Sequence, residues 1–257
     1  MARTEVRFPA AVALAAATLM LLCLCTAAPA AAQDASLRDF LFGDKRGESQ
    51  RQAPPPPVAR YVSETGEGFI LDRSSQRTLM RFENSPEILV LQPSVGPRGD
   101  IIYKNDIGEV LLRATRMGGL TLFTGKRPDG ASAALTGASP PIRLKAIGPV
   151  DLLRVLVASS ARASRLARHR ISFDAEATPD SSTLIADAAI LSIMAIERVA
   201  QRPDGGAMTA RIQRVVIVEG RRPEVVLRAG TLLIAVTPSL GVAGRPSSER
   251  IVAVTVK

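Results

Sequence analysis

The stretch IIYKNDIGEVLLRATRMGGLTLF, residues 101–123, decides the fold of the N-terminal half. It contains three short apolar runs, at 101–103, 110–113 and 120–123, and turn-forming residues separate them. The first two runs flank Asn105-Asp106-Ile107-Gly108, which is a typical hairpin connection. The pattern therefore predicts three consecutive antiparallel strands.

The same alternation of strand and turn extends upstream to residue 61. Short β-rich runs occur at 61–63, 69–71, 79–82 and 88–91, each ending near Gly, Pro or Ser-rich turns. Strands this short with turns this frequent predict a β-rich meander or small barrel over residues 61–124. Residues 125–141 are rich in Gly, Ala, Ser and Pro, so we predict a loop or a boundary between subdomains there.

Residues 142–257 show helical periodicity followed by β-branched runs. One helix is predicted over 152–169, with an apolar face (Leu152, Leu153, Val155, Leu156, Ala163, Leu166 and Ala167). A second is predicted from Thr178, as N-cap before Pro179, to about Gln201, and its apolar stretch 187–197 favours a buried position. Further runs at 171–173, 212–218, 225–236 and 251–256 predict strands. The fold class is therefore α+β, with two helices packed on an antiparallel sheet in the C-terminal half.

Residues 1–32 have the three parts of a cleavable signal peptide. Arg3 and Arg7 precede an uncharged apolar run over 10–25, and Ala30-Ala31-Ala32 provides a cleavage site. An uncleaved N-terminal anchor remains an alternative. Lipid attachment at Cys23 or Cys25 fits poorly, because leucines or a cysteine precede each one instead of small residues. We therefore expect export to the periplasm or the outer-membrane periphery.

The rest of the chain divides by composition. Residues 33–60 include four consecutive prolines and are predicted to form a Pro-rich tether before the β-rich subdomain at 61–124 and the α+β subdomain at 142–257. Both cysteines lie in the leader, so a processed chain would have no disulfide and no thiolate metal site. No later run approaches the roughly 18 apolar residues of a membrane-spanning helix, so no transmembrane span is expected after cleavage.

The chain is basic, with a formal net charge of +9. A basic exported protein is attracted to anionic surfaces, such as anionic lipid, lipopolysaccharide or a cell-wall polymer. Export argues against nucleic acid as a partner. Arginine greatly outnumbers lysine, however, and a GC-rich genome would produce the same excess without selection for binding.

One helix face concentrates this charge. Arg154, Arg162, Arg165 and Arg168 lie opposite the apolar face of the predicted helix over 152–169. A basic amphipathic helix of this kind suits contact with an anionic envelope component. The alternative is an ordinary solvated face in which some arginines pair with carboxylates.

No motif in the sequence indicates an enzyme, a metal site or a cofactor. The single histidine, His169, lies between Arg168 and Arg170, whose charges oppose its protonation and make it a poor general base. The acidic residues Asp100, Asp106 and Glu109 lack the alternating pattern of a calcium loop. No metal and no cofactor is therefore expected.

Carboxylate pairs leave one enzymatic alternative open. Glu83 with Glu87, or Asp72 with Glu83, could in principle serve a hydrolase of cell-wall or surface glycans. The preferred interpretation is a non-enzymatic protein with a binding or structural role at an anionic envelope surface.

Four stretches support a family resemblance: VARY at 58–61, RFENSPE at 81–87, PRGDIIYKNDIG at 97–108 and LRATRMGGLTLF at 112–123. The chain resembles the uncharacterised alphaproteobacterial family called domain of unknown function 4908. The resemblance covers mainly residues 37–135 and continues more weakly to the C-terminus. Members typically carry a signal peptide, so the resemblance implies a bacterial envelope location. It supplies no activity, cofactor or site residue.

Overall fold

The computed structural model describes residues 55–257 of the chain. The predicted leader and the predicted tether up to residue 54 lie outside the described residues. The described chain forms a closed eight-stranded barrel followed by helices and a four-stranded sheet. The α+β class and the small barrel of the N-terminal half are therefore confirmed.

The barrel is an up-and-down meander in which every neighbouring pair of strands is antiparallel. Each strand pairs with the next along the chain, and β8 pairs with β1 to close the barrel. The strands are β1 (Val58–Ser63), β2 (Gly68–Asp72), β3 (Thr78–Phe82), β4 (Ile88–Val95), β5 (Ile101–Lys104), β6 (Val110–Ala114), β7 (Leu120–Thr124) and β8 (Arg127–Ala138).

Large side chains fill the barrel interior. Residues alternate between the inside and the outside of each strand, and the inward ones form one core cluster that includes Tyr61, Phe69, Leu71, Met80, Leu112 and Leu122. The rings of Tyr61 and Phe69 stack with their centroids 5.5 Å apart. The interior is therefore a packed core, as expected for a barrel of this size.

The predicted hairpin over 105–108 joins β5 to β6. Asn105 Oδ1 accepts hydrogen bonds from the backbone N–H of Ile107 and of Glu109, at 3.2 and 2.8 Å. Gly108 has φ +91°, a conformation that a residue with a side chain rarely adopts. The Asn and the Gly of the sequence motif thus each have a separate role in the turn.

Two sequence expectations about the limits of the barrel are wrong. Residues 125–141 are not mainly a loop, because β8 occupies Arg127–Ala138 and closes the barrel. Ala131 is buried and Ala133 packs against the barrel core, but such small side chains lack the β-branched composition that marks a strand. In addition, β1 begins at Val58, inside the stretch predicted as tether.

The C-terminal part contains four helices and a four-stranded sheet. The helices are α1 (Pro149–Ala167), α2 (Ser182–Ala200), α3 (Gly205–Ala210) and α4 (Ser248–Thr255). The strands are β9 (Ser172–Ala175), β10 (Arg214–Glu219), β11 (Glu224–Arg228) and β12 (Thr231–Val236), in the order β11-β12-β10-β9. A 3₁₀ segment, Pro238–Gly244, leads from β12 towards α4.

The helices bury one face of this sheet. The second core cluster joins inward residues of the strands, such as Ile217 and Ile234, to α2 residues such as Leu191 and Ile196. Most side chains of α2 are buried, which confirms that its apolar stretch belongs in the core. None of the described helices is both long and apolar enough to cross a membrane.

The sheet is mixed, so the prediction of an antiparallel sheet is wrong. β10 runs parallel to β9 and to β12, and only β11 is antiparallel to its neighbour. α2 and α3 connect β9 to β10 and return the chain to the same end of the sheet, as a parallel connection requires. The run over 225–236 is two strands, because Ala229 and Gly230 both adopt positive φ and form a tight turn.

Two helix boundaries also differ from the sequence expectation. α2 begins at Ser182, so Thr178 lies in the preceding turn, where its carbonyl oxygen accepts hydrogen bonds from the N–H groups of Ser181 and Ser182. The C-terminal run over 251–256 is not a strand, because it forms most of α4.

Two carboxylates from the barrel explain why α4 is a helix. Glu87 accepts hydrogen bonds from the N–H and hydroxyl of Ser248, and Asp106 accepts from the N–H and hydroxyl of Ser247. The Ser247 hydroxyl in turn accepts from the N–H of Arg250 as the N-cap. Acidic groups at a helix N-terminus satisfy free N–H groups and complement the helix dipole. This stabilisation outweighs the strand preference of the β-branched run.

A buried ion pair makes a second connection between the barrel and the helices. The Arg245 side chain is 1% exposed, and its guanidinium pairs with Asp187 of α2. The same guanidinium donates to the carbonyl oxygen of Ile88 in β4 at 2.9 Å. Arg245 therefore connects α2 to the barrel through two separate hydrogen bonds.

Candidate anion-binding face

The exposed side of α1 carries the predicted basic face. Leu152, Leu156 and Ala163 are buried against the C-terminal core, and this contact fixes the orientation of the helix. The 19-residue helix is about 28 Å long at 1.5 Å per residue. Its opposite side is exposed along most of that length.

The structure brings the four predicted arginines to this exposed side. Arg154 pairs with Asp151 at 2.8 Å on the helix itself, and Arg162 pairs with Glu197 of α2 at 2.7 Å. Arg165 and Arg168 are exposed and form no ion pair with any residue of 55–257. Arg168 is the C-cap of the helix, with φ 58°. Two of the four charges are thus balanced locally, and contact of the face with an anion stays a prediction.

An apolar ridge runs beside these arginines, and the sequence interpretation missed it. Val150, Leu153 and Val157 are 66%, 62% and 62% exposed. Their spacing of three and four residues places them on one side of the helix. The prediction that Leu153 lies on the buried face is wrong. Its side chain lies at the edge of the apolar arc, and the core does not extend far enough round the helix to cover it. The 150, 153, 157 spacing was the signal in the sequence.

The basic residues and the ridge together form one amphipathic surface. Successive residues are about 100° apart around a helix. Arg154 and Arg165 therefore lie next to Val150 on the exposed side of α1. Arg162 lies further round, towards α2. Arg165 and Arg168 lie at the C-terminal end of α1, where the helix dipole favours positive charge. Such a surface can contact negative groups while its apolar ridge enters a less polar layer.

A groove lies between the barrel and the C-terminal part. It has a volume of about 550 Å³, and its lining includes Asp72, Asp180, Arg77 and Arg143. Both carboxylate oxygens of Asp72 are engaged, since one accepts from the N–H and hydroxyl of Ser74 and the other from the N–H of Ile142.

The pKa of Asp72 argues against this residue as a catalytic acid. Burial raises the pKa of this carboxyl, but the hydrogen bonds from Ser74 and Ile142 and the charge of Arg143 outweigh burial and hold it below its ordinary value. A general acid in glycoside hydrolysis needs a raised pKa. Asp72 is therefore a structural carboxylate that attaches the chain at Ile142 to the barrel.

The other carboxylates proposed for a hydrolase also have separate partners. Glu83 pairs with Arg60 on the outside of the barrel. Glu87 is buried and binds Ser248 at the start of α4. Neither the pair of Glu83 and Glu87 nor that of Asp72 and Glu83 lines a shared cleft among the cavities of the described region. These two carboxylate pairs therefore give the hydrolase alternative no support.

His169 and the acidic group of the barrel have structural partners as well. The two ring nitrogens of His169 lie 3.0 Å from the carbonyl oxygen of Ala167 and 2.7 Å from that of Ile212. Asp100 pairs with Arg113, and Glu109 accepts from Asn105. Within residues 55–257, no three His, Cys, Asp or Glu side chains are arranged so that they could hold a metal ion.

Comparison with known families decides the relationship of the chain. The family model described as "Domain of unknown function (DUF4908)" matches residues 36–255. The chain belongs to the DUF4908 family. The match extends the resemblance seen over 37–135 to α1 and the C-terminal sheet, so the barrel and the α+β part are both within the DUF4908 region. No curated protein and no solved structure matches the chain.

Proposed function

We propose that this DUF4908 protein is an exported, non-enzymatic component of the bacterial envelope that attaches to anionic lipid headgroups through α1. The observation that supports this proposal most directly is the exposed ridge of Val150, Leu153 and Val157 beside the four arginines. The signal-peptide pattern of residues 1–32 supports the location, because it would bring this surface to the periplasmic side of a membrane.

The physical argument combines two attractions. Each arginine near an anionic membrane surface contributes about 1 kcal/mol, and that contribution falls as salt rises. Apolar area removed from water contributes about 25 cal/mol per Å² and does not depend on charge. A lipid surface uses both attractions, whereas a soluble or cell-wall polyanion uses only the first. The ridge therefore favours lipid over lipopolysaccharide carbohydrate or a cell-wall polymer.

The test is co-sedimentation with vesicles that contain phosphatidylglycerol, at low and at high salt, with neutral vesicles as reference. We expect binding to the anionic vesicles at low salt. Changing Arg154, Arg162, Arg165 and Arg168 to Gln should weaken it by up to about 1,000-fold, because four contributions of about 1 kcal/mol add to about 4 kcal/mol. The matched control changes four exposed arginines elsewhere to Gln, with the same change in net charge (Arg116, Arg127, Arg221 and Arg222).

A second variant separates lipid from other polyanions. V150S/L153S/V157S removes the ridge and keeps every charge. We expect this variant to bind anionic vesicles more weakly than the wild type and to retain its affinity for purified cell-wall polymer. If it binds vesicles as well as the wild type does, the lipid proposal is wrong. If the four-arginine variant and its control bind equally, α1 is not the contact surface.

A further inference from the structure

The face of the C-terminal sheet that points away from the helices is apolar in its centre. Val216, Val226 and Leu233 lie outside the hydrophobic core clusters, and Leu233 is 40% exposed. With Arg228, Ala229 and Thr231 they line a shallow concavity of about 410 Å³. Their neighbours Val215, Val225 and Leu232 point to the opposite side and are buried in the core.

An apolar face that none of the described residues covers is unusual for this kind of sheet. Three of its four strands are parallel, and parallel strands are ordinarily covered on both faces. β10 and β12 are apolar on both sides, as strands of a doubly covered sheet are. α1, α2 and α4 cover only one side. The composition of the strands therefore indicates that something covers the other side.

The register of the strands arranges this face in three rows. The middle row is Val226, Leu233, Val216 and Asp174; the row on one side is Arg228, Thr231, Arg214 and Ser172; the row on the other side is Glu224, Ala235 and Val218. Asp174 is balanced by Arg214 at 2.8 Å. β11 thus presents an acidic, an apolar and a basic side chain at successive outward positions, namely Glu224, Val226 and Arg228.

The order of outward side chains on β11 is complementary to itself under a two-fold rotation. A two-fold axis along the middle row places Leu233 and Val226 of one copy against the same residues of the next. It also places Arg228 opposite Glu224 of the other copy, and the reverse pair forms at the same time. Within the described chain, Arg228 forms no ion pair, and Glu224 meets Arg222 only at 3.6 Å.

We propose that a second copy of this chain covers the open sheet face, in a two-fold dimer with reciprocal Arg228–Glu224 ion pairs. The face is roughly 19 Å across four strands and 17 Å along five residues, or roughly 300 Å² per copy. A standard interface buries about 800 Å² per partner. The dimer is therefore weak, and its population depends on protein concentration.

The test is sedimentation equilibrium of the protein, purified as its host processes it, over a wide concentration range. We expect the average mass to rise towards that of a dimer. Leu233→Asp should abolish the rise. Leu240→Asp is the matched control, because Leu240 is 44% exposed but lies outside this face. Circular dichroism establishes that each variant is folded.

Charge reversal tests the two-fold register itself. Arg228→Glu and Glu224→Arg should each weaken the dimer by about tenfold, because each creates like-charge contacts at both ends of the interface. An equal mixture of the two variants should recover wild-type association, since a mixed dimer forms two favourable pairs. A wild type that stays monomeric at the highest concentration overturns the proposal. A mixture that behaves like the single variants overturns the proposed register.

Discussion

The barrel and the C-terminal part bury their apolar surfaces in different ways. The barrel closes on itself through β8, so it has no free sheet edge, and its interior is filled by its own side chains. Within residues 55–257, the C-terminal sheet is covered on one face only, and α1 keeps an exposed apolar ridge. Both proposed contact surfaces, the ridge of α1 and the open sheet face, lie in the C-terminal part, although apolar side chains such as Val95 and Met117 are exposed on the barrel as well.

Polar contacts join the two parts. The barrel contributes Glu87 and Asp106 to the start of α4, and its Ile88 carbonyl binds Arg245. Glu87, one of the carboxylates considered for a hydrolase, is therefore a structural group at the start of α4. These contacts predict that the C-terminal part depends on the barrel for stability.

The largest effect is expected at the buried ion pair. Asp187→Ala leaves the Arg245 guanidinium buried without its carboxylate, so the free energy of unfolding should fall by about 3–5 kcal/mol in urea denaturation. Replacing both residues, in D187L/R245M, should cost less, because no buried charge is left unpaired. Arg154→Gln, which breaks an exposed pair, is the control, and we expect it to change stability by less than about 1 kcal/mol. A D187A loss as small as that of the control would show that the buried pair does not stabilise the fold.

A smaller loss is expected at the start of α4. Glu87→Ala removes the acceptor of two hydrogen bonds from Ser248 and should lower the free energy of unfolding by about 1–3 kcal/mol. Because α4 packs on the core of the C-terminal part, the helical circular dichroism signal should melt earlier than that of the wild type. Glu83→Ala, on an exposed carboxylate four residues earlier, should change stability by less than about 1 kcal/mol. Equal losses in the two variants would contradict the capping role.

The smallest effect is a pH-dependent one at Asp72. Its pKa lies below the ordinary value because hydrogen bonds from Ser74 and Ile142 outweigh the opposing effect of burial. A lowered folded-state pKa stabilises the fold above the unfolded pKa of about 3.9, and this contribution is lost as pH falls through the folded value. Asp72→Asn should therefore cost about 1–2 kcal/mol at neutral pH, and the difference from the wild type should shrink below about pH 4.

Thermal unfolding of both proteins between pH 2 and 7 measures that difference. Asp129→Asn, at an exposed position of β8, is the control and should show the same pH profile as the wild type. A D72N loss that stays constant down to the lowest pH would mean that the carboxylate charge has no part in holding Ile142 to the barrel.

Part of the candidate surface followed from the sequence alone. The spacing of Arg154, Arg162, Arg165 and Arg168 placed them on one helix face, because helical periodicity is a local property. The exposure of Leu153 and Val150 did not follow, since it depends on how far round α1 the neighbouring core extends. The open sheet face was also missed, because a strand that is apolar on both sides does not indicate which of its faces is covered.

The sequence by itself determined the elements whose signals are local. Alternating runs with Gly and Asn turns specify the first seven barrel strands, and apolar periodicity specifies α1 and α2, since both depend on neighbouring residues only. The tertiary structure alone decided that β8 is a strand, that β9, β10 and β12 are parallel, and that residues 251–256 are helical. Each of these depends on partners distant in sequence: β1 for β8, and the Glu87 and Asp106 carboxylates for α4. Local preference for strand at the C-terminus is weaker than the hydrogen bonds that those carboxylates supply.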